Sequence, residues 1–375
     1  MKKIYILTYH CAYNVGAMLQ CFALAETIRS SGRSVEVIDY RPEKVRDEGI
    51  ERGCAPSWIQ RRRRDLSGWA RLAYRAVKYL PDKDKRPYIV GGSTVSSFCR
   101  FLEDRLPLTP ERYHTEEELE AFSGEDAVFI TGSDQVWNPA LSGTPKAYLL
   151  DFVKAGEKDS YGASFGRAFV DRPYQDVLKE ALSDFHIISV REKSAVGIVR
   201  EAAGRQAVHV LDPVFLVDPG RWRDLTYPVR WKDPYIFVYR MEANEEIAAQ
   251  VEALKRSDPA LKVAKFDDLE DALPVDIDIP RKGPLDFLSY LFAASCVVTN
   301  SFHGTAFSII GRKRAAIVPH SAYNERIASL LDGVAVPDRK GVYRLDPTCY
   351  DRMRGPICAS KEILEEICGD RQAPR

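Results

Sequence analysis

The chain has 375 residues, and at roughly 100 to 200 residues per domain this predicts two globular domains or one large one. Hydrophobic residues make up 45% and charged residues 29%, which excludes a solvated, disordered coil. Lys plus Arg number 54 and Asp plus Glu number 54, so the net charge is zero and there is no overall electrostatic case for nucleic-acid binding.

Residues 4–9 form an apolar run too short for a signal-peptide core, with no small-residue cleavage pattern behind it. The longest later apolar stretch, residues 288–299, is shorter than the about 20 residues that span a bilayer as a helix. These features predict a cytoplasmic protein without a spanning segment. The eight cysteines are scattered with no CxxC pair, which predicts reduced, mostly buried thiols and no metal site.

In chain order, residues 4–8 read as a strand, 16–31 as a helix and 34–40 as a strand, a βαβ unit. Further strands are predicted at 127–131, 159–164, 187–191, followed by a helix to Ala203, and 207–211, giving a parallel sheet with helices on its faces. Residues 44–100 interrupt this pattern. Between Arg52 and Arg86 there are 11 basic residues against three acidic ones, a local charge of +8 that leaves −8 for the remainder. Trp58, Ile59, Leu66, Trp69, Ala73, Val77 and Leu80 are spaced for a helix or helix pair, so the segment reads as a basic amphipathic insertion. Two readings stand: a helical insertion with a solvated basic face, or a contact with an anionic membrane surface or a lipid-linked substrate.

Pro213, Pro219, Pro228 and Pro234 punctuate residues 212–234 and mark a domain boundary. Residues 1–218 are therefore expected to form an N-terminal Rossmann-like domain carrying the insertion, and 219–375 a C-terminal one. In the latter, strands are predicted at 235–239, 262–266, 296–299 and 315–318. Helices are predicted at 245–256, 285–294 and 305–310, with a short C-terminal helix at 361–368.

Ligands of open α/β sheets bind at the carboxyl ends of strands, beside helix N-termini that offer free amides and a positive dipole end. Three such junctions stand out. In the first, Gly16 permits close approach and Asn14 can cap a helix or bind a hydroxyl; the GxGxxG spacing of a dinucleotide site is absent. In the second, Ser133, Asp134, Gln135 and Asn138 follow a buried strand, and Trp137 offers either an aromatic face to a sugar or a half-buried structural turn. The third, Asn300-Ser301-Phe302-His303-Gly304-Thr305, sets a histidine against the positive end of a helix dipole, which disfavours the imidazolium and suits it to accept a proton. Ser301 and Thr305 hydroxyls with nearby amides could hold an anion there, and a capping or packing role is the competing reading. Arg191, followed by Glu192 and Lys193, is the best-placed cation for an anionic substrate; Arg326 is a second candidate, and Asp39 reads as a ribose contact or a turn residue.

Six ordered strings, NVGAMLQ from Asn14, GSDQVWNP from Gly132, SYGASFG from Ser160, SVREKS from Ser189, LDPVFL from Leu211 and TNSFHGT from Thr299, resemble the polysaccharide pyruvyl transferase family. The resemblance spans about residues 4 to 332 apart from the insertion. It implies two Rossmann-type domains facing across a cleft, the GT-B arrangement, and transfer of pyruvate from phosphoenolpyruvate onto a sugar as a cyclic ketal. It further implies His303 as acid/base, Arg191 as anion clamp, and Asn14, Asp134, Gln135 and Trp137 around the acceptor, a sugar or lipid-linked oligosaccharide of a cell-surface polysaccharide precursor. Gly16, Ser133, Asn300, Ser301, Gly304 and Thr305 complete the expected substrate-binding set. No cofactor or metal is implied, since phosphoenolpyruvate is itself a substrate. Many members carry an arginine two positions before the matching histidine, where this chain has Ser301; Arg326 or Arg281 is then expected to supply the missing cation, or the donor differs. The alternatives are a GT-B glycosyltransferase using a nucleotide-sugar, and a non-catalytic scaffold of the same fold.

Overall fold

The computed structural model describes residues 2–42, 94–142, 146–269, 273–321 and 324–369. The chain opens with β1 (Ile4–Leu7), α1 (Val15–Ser30) and β2 (Val35–Tyr40). It continues through α2 (Thr94–Arg105), β3 (Leu108–Tyr113), β4 (Val128–Thr131), α3 (Pro139–Ser142), β5 (Glu157–Ala163), α4 (Arg172–Ala181), β6 (Phe185–Val190), α5 (Lys193–Ala203) and β7 (Val208–His209). These seven strands form one parallel sheet in the order β3-β2-β1-β4-β5-β6-β7.

After α6 (Pro219–Asp224) a second sheet is built from β8 (Tyr235–Tyr239), β9 (Lys262–Lys265), β10 (Ile277–Asp278), β11 (Cys296–Thr299), β12 (Arg314–Ile317) and β13 (Tyr343–Leu345). Its helices are α7 (Glu245–Ser257), α8 (Pro284–Ala293), α9 (Phe302–Ile310), α10 (Asn324–Leu331), α11 (Cys349–Arg352) and α12 (Arg354–Cys368). The order is β10-β9-β8-β11-β12-β13, parallel except for the antiparallel pair β12–β13. The result is an α/β molecule of two Rossmann-like sheets, as the sequence pattern led us to expect.

Both central strands are continuous apolar runs because each is covered on two faces; Ile4, Ile6, Leu7, Val297 and Val298 are at most 1% exposed. Strand order reverses between β1 and β4 in the first sheet and between β8 and β11 in the second. Helix α1 therefore starts at the switch point of one sheet and α9 at that of the other, the crevices where open α/β sheets bind ligands.

Helix α1 buries 12 of its 16 residues, nearly its whole circumference, because it is covered by its own sheet and by the second domain. A single apolar core runs through the seam. Trp222 of α6 packs its ring 5.6 Å from Phe22 of α1 and 5.0 Å from Phe307 of α9, and its Nε1 donates to the Val214 carbonyl at 3.0 Å. The last helix, α12, returns to the first sheet: the Leu211 amide donates to Ser360 Oγ at 2.9 Å and Tyr161 of β5 donates to the Ser360 carbonyl at 3.5 Å.

Some elements differ from the sequence reading. Helix α9 begins at Phe302 and not Thr305, which puts His303 inside its first turn, and α12 starts at Arg354, well before the expected 361. Helix α2 takes up residues 94–100 of the expected insertion, while the basic stretch 52–86 lies outside the described residues. Cys11, Cys21, Cys296, Cys349, Cys358 and Cys368 are free thiols, but Cys99 is disulfide-bonded, against the expectation of reduced thiols throughout. Among the described residues no helix is long and apolar enough to cross a membrane.

Candidate active site

The site forms where the two switch points meet. Beyond β1, Asn14 caps α1: its side-chain oxygen accepts from the Gly16 amide at 2.9 Å and the Ala17 amide at 3.2 Å. Beyond β11, Ser301 caps α9. Its hydroxyl accepts from the Gly304 amide at 3.3 Å, its own amide donates to Thr299 Oγ1 at 3.0 Å, and Thr305 donates back to the Ser301 carbonyl at 2.9 Å. These bonds fix the first turn of α9 and aim His303 at the start of α1. A Cβ on residue 16 would lie 1.9 Å from His303 Nδ1, so only glycine lets the imidazole rest there. The His303 side chain is 8% exposed. Its Nε2 is buried without a hydrogen-bond partner, 3.6 Å from Asp212 Oδ2.

Asp212 joins the imidazole to the first sheet. Arg191, just past β6, donates from Nη1 to Asp212 Oδ2 at 2.6 Å and from Nη2 to Asp134 Oδ1 at 3.3 Å. Ser133 Oγ donates to the same Asp212 oxygen at 3.1 Å, and the Val214 amide reaches Asp212 Oδ1 at 3.1 Å. Burial opposes ionisation of Asp212, but His303, Arg191 and the Val214 amide outweigh it and hold the carboxyl well below its ordinary range. The guanidinium of Arg191 lies 4.7 Å from the centre of the Phe302 ring, and Arg326 of α10 lies 5.7 Å from the same ring. Burial, then repulsion from Arg191, pull the Arg326 pKa down to about 10 against the opposing pull of Asp134, Glu192 and Asp212. Two buried side-chain atoms beside these residues, Arg191 Nε and Glu192 Oε2, also lack hydrogen-bond partners. Glu192 uses its other oxygen to hold the β5 loop, accepting from Ser164 Oγ at 3.1 Å, the Phe165 amide at 2.8 Å and the Gly166 amide at 3.0 Å.

The structure thus brings together His303, Gly16, Arg191, Ser133, Asp134 and Arg326. Other expected residues serve differently. Trp137 does not offer a face to a sugar: it is fully buried, packs 5.5 Å from Phe165 and 6.2 Å from Phe185, and donates from Nε1 to the Tyr148 carbonyl at 3.1 Å. Gln135 accepts from Asn138 Nδ2 at 2.8 Å beside Gly166. Asn300 is spent on backbone, accepting from the Met241 amide at 2.7 Å and donating to the Glu242 carbonyl at 3.1 Å. Gly304 packs on Thr299, where a Cβ would come 2.4 Å from the hydroxyl oxygen. Asp39 is buried among Arg41, at 2.6 Å, and His10, at 3.0 Å, which leaves no face for a ribose. Arg281 is bound by Asp286 at 2.9 Å and Tyr227 at 3.4 Å, so of the two expected substitute cations it is Arg326 that stands beside Phe302 and Arg191.

Sequence reasoning missed Asp212 and Phe302. An Asp-Pro pair after a strand reads as a cap, and Asp212 does cap the turn that follows, but with one oxygen only.

Solved structures similar to the chain include the spinosyn rhamnosyltransferase SpnG complexed with spinosyn aglycone, 13% identical, with a TM-score of 0.41 and coverage of 98% of this chain and 96% of that one. Another is UDP-GlcNAc 2-epimerase from Neisseria meningitidis, 7% identical, with a TM-score of 0.48 and coverage of 98% and 99%. A third is a putative UDP-N-acetylglucosamine 2-epimerase from Listeria monocytogenes, 9% identical, with a TM-score of 0.47 and coverage of 97% and 90%. No curated protein matches by sequence. The family model for polysaccharide pyruvyl transferase matches residues 14–321, from the cap of α1 to just before α10. With two Rossmann-like sheets and a histidine, an arginine and an aspartate at their shared crevice, the chain is a transferase and belongs to the polysaccharide pyruvyl transferase family.

Proposed function

We propose that the chain moves pyruvate from phosphoenolpyruvate onto two hydroxyls of a sugar in a cell-surface polysaccharide precursor, with His303 as the acid/base residue. The observation that carries this reading is His303 Nε2, buried and without a partner at the meeting of two helix N-termini, with Asp212 3.6 Å away. A buried polar atom left unmatched is costly unless a ligand completes it. In the proposed first step the His303 imidazolium delivers a proton to C3 of the enol phosphate, a sugar hydroxyl bonds to C2, and the imidazole thus left neutral takes up the hydroxyl proton. The C2–O bond to phosphate then breaks, phosphate leaves with the bonding pair, and the second hydroxyl closes the ketal as its proton passes to the departing phosphate. Gly16 and the capped first turn of α9 hold the imidazole in place, while Arg326 and Arg191 Nε face the donor's negative charge. Arg326 takes the place of the arginine that the family carries at the position of Ser301.

The test is phosphate release from phosphoenolpyruvate across a panel of lipid-linked and nitrophenyl sugars. His303→Ala should lower kcat by about 100- to 10,000-fold, and Arg326→Ala should raise KM for the donor. Thermal stabilisation by UDP or another nucleotide, with none by phosphoenolpyruvate, would replace this reading with a nucleotide-sugar glycosyltransferase.

The acceptor reading extends to location. The +8 of residues 52–86 suits a cytoplasmic protein that meets lipid-linked acceptors at the anionic inner face of the membrane. Anionic liposomes at low salt should retain the protein and release it when Arg61, Arg62, Arg63 and Arg64 become Ser; absence of binding at low salt refutes the contact.

A further inference from the structure

His303 and Arg191 come from the halves of the molecule built on different sheets, and both are more than nine-tenths buried. Around Trp222 the seam between the halves is apolar. At α10 it is polar. Ser329 Oγ accepts from the Lys193 backbone amide at 3.1 Å and lies 3.3 Å from His209 Nε2, and Lys193 Nζ pairs with Asp332. The same His209 nitrogen lies 3.1 Å from the Arg191 carbonyl. Ser329 stands three residues beyond Arg326, one turn along α10, so the two share a helix face. His209 therefore touches the backbone that carries Arg191 and the helix that carries Arg326.

We propose that His209 and Ser329 are positioning residues: a polar latch that sets the spacing of Arg191 and Arg326 when the halves close and lets go when they part. This inference rests on the pyruvyl-transfer reading for its kinetic consequence and on geometry alone for the latch. The Nε2–H tautomer donates to the Arg191 carbonyl and shares the same proton, over the longer 3.3 Å contact, with Ser329 Oγ, which also accepts from the Lys193 amide. Burial, then Lys193, lower the His209 pKa against the Arg191 carbonyl and Asp332, which agrees with a neutral ring in this role. A few neutral hydrogen bonds and one exposed ion pair are weak enough to break and re-form within a turnover.

Hydrogen exchange on the full chain tests the latch. Ser329→Ala and His209→Ala should each speed exchange of the amides at 324–331 and 191–196 several-fold and leave β4 and β5 unchanged. Both should raise KM for phosphoenolpyruvate about tenfold, with a smaller change in kcat, because the lost bond weakens donor binding more than chemistry. His209→Gln, whose amide can still donate to the Arg191 carbonyl, should restore most of the KM. Unchanged exchange at α10 in both alanine variants overturns the proposal, as does a uniform increase over the whole chain, which would mark a merely structural role. If α10 responds as expected while the wild type never turns over phosphoenolpyruvate, the latch stands and the proposed reaction falls.

Discussion

At position 16 there is room for a hydrogen atom and nothing larger, since the next group in that direction is the ring of His303. Placement of the imidazole thus depends on a residue with no side chain, contributed by the other sheet. Replacing it tests the placement without touching the histidine. Gly16→Ala lies in the first turn of α1, where alanine favours the helix by up to about 1 kcal/mol, but forcing the buried ring aside costs about 1–3 kcal/mol, so the thermal midpoint should fall slightly with the fold kept. The imidazole must move, and a displacement of about 1 Å costs on the order of 100-fold in rate. Steady-state turnover beside a melting curve checks both halves of this expectation; full activity with an intact fold would show that the ring is not where the chemistry occurs. The contrast between Trp137 and Asp212 belongs at the same scale. Both follow strands within motifs that the sequence made visible, but a strand end tells which residues are near the crevice, not where each side chain turns. Asp134 adopts φ of 82°, in the left-handed region, and the Trp137 amide then binds the Ser164 carbonyl at 3.2 Å, sending the indole into the core. Asp212, not singled out within its motif, keeps one oxygen for the turn and turns the other toward Arg191 and His303.

Among the elements, the central strands were the most legible. Parallel strands covered on both faces must be apolar throughout, and β1, β4, β8 and β11 announce themselves as short Val- and Ile-rich runs bounded by polar residues. The edges were harder to read. Strand β3, with the sequence LTPERY, is half polar and contains a proline, which an edge strand tolerates and a pattern search rejects. Helix α4 escaped notice because only Tyr174 and Leu178 of its ten residues are buried, too few to mark an apolar stripe. The early start of α9 has its own cause: Ser301 supplies the cap, so the apolar residue after it is already helical, and His303 is carried by a fixed turn instead of a loop. That shift of three residues separates a histidine merely near a helix end from one aimed across the seam. The covering of α1 by the second domain was not readable locally. Its nearly uniform apolar character was visible, but what covers the far side depends on Trp222 and on α9, which lies still later in the chain.

Across the whole molecule, two buried aspartates tie the binding ends of the first sheet together, and both depend on charge. Burial alone would raise the Asp39 pKa; Arg41, His10 and Arg112 outweigh it and depress it. Asp212 is depressed in the same way by His303 and Arg191. A carboxyl whose folded pKa lies below its unfolded value binds fewer protons when folded. Its contribution is fully present above the unfolded value of 3.8 and is lost as pH falls below it toward the folded pKa. Urea unfolding of the wild type should therefore show stability nearly constant in these two groups from pH 7 to about 5, then falling steeply below about 4. Asp39→Asn and Asp212→Asn should each be less stable at pH 7, by roughly 3–5 kcal/mol for Asp39→Asn, which removes the carboxylate from a buried pair, and by less for Asp212→Asn, since Arg191 keeps Asp134 at 3.3 Å. Their stability should also decline less steeply below about pH 4, narrowing the gap to the wild type as acid is added. Parallel curves at all pH values would mean that other carboxylates govern the acid limit, and that the Arg191–Asp212–His303 group is held by packing rather than by charge.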